Sequence, residues 1–151
     1  MAVWQLDFYL IKEENVNYYN ESLSWNENES WLSWEKEKIE CESVMKISKI
    51  LPHEKSWSNQ TIQYGNIDKT CLEIFTLDDG LIQIFFRLDL RTIDNHLLSE
   101  IIDFIQNNRA KIVYDNKCYQ SDKESLVKLI KESNAYKFVK NPYEFLLNSK
   151  F

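Results

Sequence analysis

The stretch LIQIFFRLDLR, residues 81–91, constrains the fold more than any other part of the chain. Ile82, Ile84, Phe86, Leu88 and Leu90 alternate with Gln83, Phe85, Arg87 and Asp89. That period of two gives a strand with one apolar face, which has to sit in a sheet packed on a core. TIQYG (61–65) and TCLEIFTL (70–77) lie upstream, joined by the polar turn Asn66-Ile67-Asp68-Lys69. Asp78-Asp79-Gly80 then turns the chain into the main strand, with Gly80 suited to a positive φ. The three segments predict an antiparallel meander.

The rest of the chain is read against that meander. VWQLDFYLI (3–11) alternates Trp4, Leu6, Phe8 and Leu10 and predicts a further strand. KIVY (111–114) and CYQ (118–120), separated by Asp115-Asn116-Lys117, predict a hairpin. Residues 12–30 are polar and read as a long loop with a short helix. From 33 to 51 the stripe Trp34, Cys41, Val44, Met45, Ile47 and Leu51 predicts a helix, which Pro52 ends. Helix 94–108 carries Leu97, Leu98, Ile101, Ile102, Phe104 and Ile105 behind Asp94 or Thr92 as cap. Ser121 and Glu124 make a capping-box pattern before helix 122–133, and the aromatic tail is expected to dock onto the body. The element order argues for an α+β fold: a mainly antiparallel sheet packed against about three helices, in a single domain 1–151.

Catalytic and cofactor signatures are sparse. Two glycines cannot build a phosphate-binding or dinucleotide-binding loop. His53 reads as a loop residue and His96 as a first-turn helix residue, neither with ligands at metal spacing. No cofactor and no metal are expected. Cys41, Cys71 and Cys118 are far apart and odd in number, which suits reduced thiols and a cytoplasmic location. A Cys–His nucleophile pair stays open, but no pair is singled out. Arg87, Asp89 and Glu73 share the outward face of the meander, where a cross-strand ion pair is expected rather than a carboxylate site. No segment reads as a signal peptide or membrane-spanning helix.

Charge is where the sequence departs from the ordinary. The net charge is −6, yet residues 1–43 carry −7 and the remainder +1. Within that acidic third, LSWNENESWLSWEKEKIECE (23–42) sets Trp25, Trp31 and Trp34 among glutamates. Four of the five tryptophans fall in the first thirty-four residues, more than one strand and one helix need for a core. Trp31 and Trp34, three apart, would share a helix face, with Trp34 joining the core stripe. The alternative for each ring is burial in the core. Read as a recognition surface, Trp25, Glu27, Glu29, Trp31, Glu35 and Glu37 form a partner-binding patch, aromatic at its centre and acidic at its rim. Such a field repels nucleic acid and anionic membranes and speeds encounter with a basic protein.

KISKILPHEKSWSNQTIQYGNIDKTCLEIF, followed by DDG and IFFRLDLR, resembles a group of small uncharacterised bacterial α+β proteins. The shared order is Pro52, then Ser56-Trp57-Ser58, then Tyr64-Gly65-Asn66, then Asp79-Gly80, then Arg87, Asp89, Leu90 and Arg91. The likeness spans residues 44 to 95. In style it is similar to the immunity proteins of polymorphic toxin systems, which are small, acidic and without catalytic motifs. The resemblance implies a non-enzymatic protein that binds a cognate toxin and blocks it. Segment 23–42 lies outside the matching region, so its partner-binding role is read from its own residues. The alternatives are a structural or regulatory module binding an ordinary cellular protein, and a hydrolase without recognisable motif.

Overall fold

In the computed structural model, residues 2–21 and 29–148 are described. Seven strands form one antiparallel sheet: β1 (Gln5–Lys12), β2 (His53–Glu54), β3 (Thr61–Gly65), β4 (Cys71–Thr76), β5 (Ile82–Asp89), β6 (Ala110–Tyr114) and β7 (Lys117–Tyr119). Their order across the sheet is β2-β3-β4-β5-β1-β6-β7. The meander β3-β4-β5 and the hairpin β6-β7 are as expected, and the fold is α+β, with six α-helices among the described residues rather than about three. Gly65 and Gly80 both take positive φ, at 88° and 85°, as the turns after β3 and β4 require. Asp115 and Asn116 turn the β6-β7 hairpin with φ of 49° and 60°, a conformation that Asp and Asn tolerate better than other side chains.

One face of the sheet carries the main core. Leu6 and Phe8 of β1 lie beside Leu88 and Phe86 of β5, Leu10 and Ile84 belong to the same core, and Leu72 and Ile74 of β4 continue the row. Against it pack α2 (Cys41–Ile47), α3 (Asn95–Asn107), α4 (Lys123–Glu132) and α5 (Asn134–Lys140). Asp94 caps α3, its carboxylate accepting from the Leu97 N–H at 2.8 Å. For α4 the cap is Asp122, which accepts from the Ser125 N–H at 2.7 Å; the Ser121–Glu124 box is therefore displaced by one residue. A smaller cluster on the other face joins Ile11, Val113 and Leu32 to Tyr19 of α1 (Val16–Glu21). The tail docks only in part. Ala135 of α5 is buried, whereas no residue of α6 (Pro142–Asn148) is, and Tyr143 and Leu147 are exposed.

The expected helix over 33–51 is not formed as such: only Cys41–Ile47 is α-helical, preceded by a 3₁₀ turn at Lys36–Lys38. Trp34 is extended and pairs with Ile82, donating its amide to the Ile82 carbonyl at 2.7 Å and accepting from the Ile82 amide at 2.9 Å. The reason lies in how β1 is shared. It pairs with β5 from Gln5 to Tyr9 and with β6 from Tyr9 to Lys12. Beyond Tyr9 it therefore diverges from β5, stranding the backbone of Ile82 and the carbonyl of Leu10. Trp34 fills that wedge. Its backbone satisfies Ile82, and its buried indole N–H donates to the Leu10 carbonyl at 3.1 Å. A buried backbone polar group without a partner is costly, and this demand outweighs the helical periodicity of a short segment.

Candidate partner-binding surface

Of the six residues read from the sequence as a binding patch, Trp25 and Glu27 lie outside the described residues. Glu29, Trp31, Glu35 and Glu37 can be placed. Trp31 and Trp34 do not share a helix face: Trp34 is in the core, and Trp31 is half-buried on the opposite side of the sheet. There α1 anchors the chain through Tyr19, while the neighbouring Tyr18 points outward at 54% exposure. The rings of Tyr18 and Trp31 stack with centroids 4.6 Å apart and planes 16° from parallel. Two bonds hold the stack from behind. The Asn15 amide donates to the Trp31 carbonyl at 3.2 Å, and the Leu32 N–H donates to the Glu29 carbonyl at 3.1 Å. The result is a braced aromatic shelf with both rings partly in solvent, a geometry that presents apolar area with little ordering entropy left to lose on binding.

The glutamates divide into different roles. Glu35 accepts from the Lys12 ammonium at 2.9 Å, and that hydrogen bond holds its carboxyl below the ordinary range. Lys12 also lies 3.7 Å from Glu14, so Glu35 is already matched within the chain. Glu37 is exposed in the 3₁₀ turn between Lys36 and Lys38. Glu29 is exposed and acts on Tyr9, whose hydroxyl is pushed up by burial first and then by Asp7, Glu29 and Glu73. Of the placed glutamates, Glu29 is thus the one that acts on Tyr9, whereas Glu35 is paired with Lys12. Tyr18 and Tyr9 are surface residues that the sequence pattern does not single out. Tyr18 carried a signal in its place within the acidic third, whereas Tyr9 became visible only with the strand register.

A second polar group lies on the same sheet face. The Arg87 guanidinium binds Asp7 through two hydrogen bonds of 3.0 and 3.2 Å. The expected ion pair exists, but it joins β5 to β1, and Asp89 is bonded instead by Arg91 at 2.8 and 2.9 Å. Burial raises the Glu73 carboxyl, opposed by Arg87, and pushes the adjacent Cys71 thiol up to about 12. Cys118 is likewise pushed up to about 11 by burial. Both thiols stay protonated at neutral pH and make poor nucleophiles. His53 faces the helix-covered side, paired with Tyr64, while Cys71 lies on the other side of the sheet, so these two cannot act together. Among the described residues no group of three or more His, Cys, Asp or Glu side chains is placed to hold a metal ion. Among them, too, no helix is long and apolar enough to cross a membrane. The Ser56-Trp57-Ser58 loop presents its indole almost wholly to solvent, at 82% exposure. No protein-family model, curated protein or solved structure matches the chain.

Proposed function

We propose that the chain is a non-enzymatic binding protein, an immunity-type inhibitor that neutralises a bacterial toxin by covering a basic site with an acidic, aromatic surface. The observation that carries this reading is the stacked, partly exposed Tyr18–Trp31 pair beside Glu29. Stacked aromatics braced by hydrogen bonds serve as anchors, and a carboxylate beside them, here Glu29, orients a cationic partner. The raised thiols of buried Cys71 and half-buried Cys118 favour binding over covalent chemistry at those two positions.

The test is co-purification with the product of the adjacent gene. Trp31→Ala and Tyr18→Ala together remove the anchor and should weaken retention at least about thirtyfold, as loss of a hot spot does. Changing Glu27, Glu29, Glu35 and Glu37 to Lys should slow association and flatten its salt dependence. Unchanged retention and salt dependence in both variants would remove this surface from the mechanism.

A further inference from the structure

The sharing of β1 between two neighbours leaves a second gap, diagonally opposite the one filled by Trp34. β6 parts from β1 at Val113 and turns away through Asp115 and Asn116. Hydrogen bonding alternates along a strand. The Leu90 amide bonds the Trp4 carbonyl on the β5 side, and the Glu13 amide bonds the Arg109 carbonyl on the β6 side, so odd-numbered residues of β1 address β6. The amide and carbonyl of Asp7 therefore point to where β6 no longer runs, and they make no backbone hydrogen bond on that side among the described residues. Two cavities of about 330 and 380 Å³ open there, both lined by Asp7, Tyr114 and Asn134. The first has Leu6 and Ala135 as apolar wall; the second carries Tyr9 and Asp115. Asp7 is neutralised by Arg87, so Asp115, exposed at the cavity rim, is the principal uncompensated charge. The Tyr114 hydroxyl, raised by burial and then by Asp115, lies within reach of that charge.

We propose that this cleft receives an extended basic segment of the partner, which adds backbone hydrogen bonds to β1 at Asp7 and seats a lysine or arginine beside Asp115 and Tyr9. The inference rests on the reading of the chain as a binder of a basic protein, and it places a second contact next to the Tyr18–Trp31 shelf, since Tyr19 and Leu32 line the second cavity. Extended peptides add to open strand edges because the main chain supplies affinity while alternate side chains supply choice. A cation is the side chain that the carboxylate and the aromatic wall both favour.

The probe is a synthetic extended peptide, acetyl-Val-Lys-Val-Arg-Val-amide, titrated into the ¹⁵N-labelled protein at up to about 10 mM, the range expected for a short segment. Saturable shifts at the amides of Asp7, Asp115 and Asn134 are expected, with exchange of the Asp7 amide slowed about tenfold or more. Asn134→Trp, which plugs the cleft from an exposed position, should abolish the response, and Asp115→Asn should weaken it several-fold. The absence of a saturable shift, an equal response to acetyl-Val-Glu-Val-Glu-Val-amide, or full binding to Asn134→Trp would each overturn the proposal. Loss of binding through Glu29→Lys with Glu37→Lys, but not through Asn134→Trp, puts the cation on the aromatic shelf. That outcome sinks the cleft and leaves the proposed function standing. Peptide seated in the cleft without retention of the adjacent gene product does the reverse.

Discussion

Trp34→Phe tests whether the indole is the wedge between β1 and β5. The substitution keeps a buried aromatic ring and removes the N–H that meets the Leu10 carbonyl at 3.1 Å. Leu10 is fully buried and its carbonyl points into the part of the sheet that β5 has left, so the lost donor is not replaced by water. An orphaned buried carbonyl costs about 1–3 kcal/mol, and the smaller ring leaves a void costing about 1 kcal/mol. Together these give about 2–4 kcal/mol, a large share of the 5–15 kcal/mol that holds an ordinary domain. Urea unfolding followed by far-ultraviolet circular dichroism should show the midpoint falling by about 1–2 M at unchanged slope. Trp57→Phe, at the exposed loop position, is the control and should stay within about 0.5 kcal/mol of the parent. A Trp34→Phe midpoint as close to the parent as that of the control would refute the wedge.

Lys36→Pro should be tolerated within about 1 kcal/mol. Glu35 already has the extended backbone that precedes proline (φ −71°, ψ 130°), and Lys36 opens a 3₁₀ turn. A continuous helix there would instead lose about 3 kcal/mol or more, so the same urea titration separates the two conformations. Asp89, buried and bonded by Arg91, has its carboxyl held below the ordinary range chiefly by that side chain. Its stabilising effect is complete above the unfolded-state value and lost as pH falls through the lower folded value. Asp89→Asn should therefore flatten the acid limb of a stability–pH profile, and an unchanged limb would contradict the pairing. A thiol reagent at neutral pH should label the exposed Cys41 fastest under native conditions, the half-buried Cys118 more slowly, and Cys71 only on unfolding; rapid native labelling of Cys71 would show that it is not buried.

What the sequence made legible follows from how local each signal is. Alternation in residues 81–90 settles which side chains of β5 enter the core, and the six apolar residues at helical spacing in α3 settle a helix, with its cap narrowed to Asp94 or Thr92. These need only neighbours in the chain. Trp34 needed more, because its conformation is set by an unpaired group on Ile82, forty-eight residues away, and nothing between the two announces it. Arg87 is the same case. An ion pair on the outward face was foreseeable, but choosing Asp7 over Asp89 required knowing that β1 lies beside β5. For the candidate surface, the acidic third and its tryptophans were visible at once. Their division into a core plug, a stacked shelf and a lysine-bound carboxylate depends on which side of the sheet each one reaches.

The position of β1 has a bearing on how the chain reaches this structure. It is the one strand that joins the β2–β5 half of the sheet to the β6–β7 half, and its contact with β5 spans 80 residues from Asp7 to Arg87. Neither half can complete the core alone, and closing so long a loop before any pairing is rewarded is slow. During synthesis β1 emerges first and must wait, apolar face uncovered, until β5 and β6 have both been made. The interval before that central place is filled is the stage at which this protein is most open to aggregation.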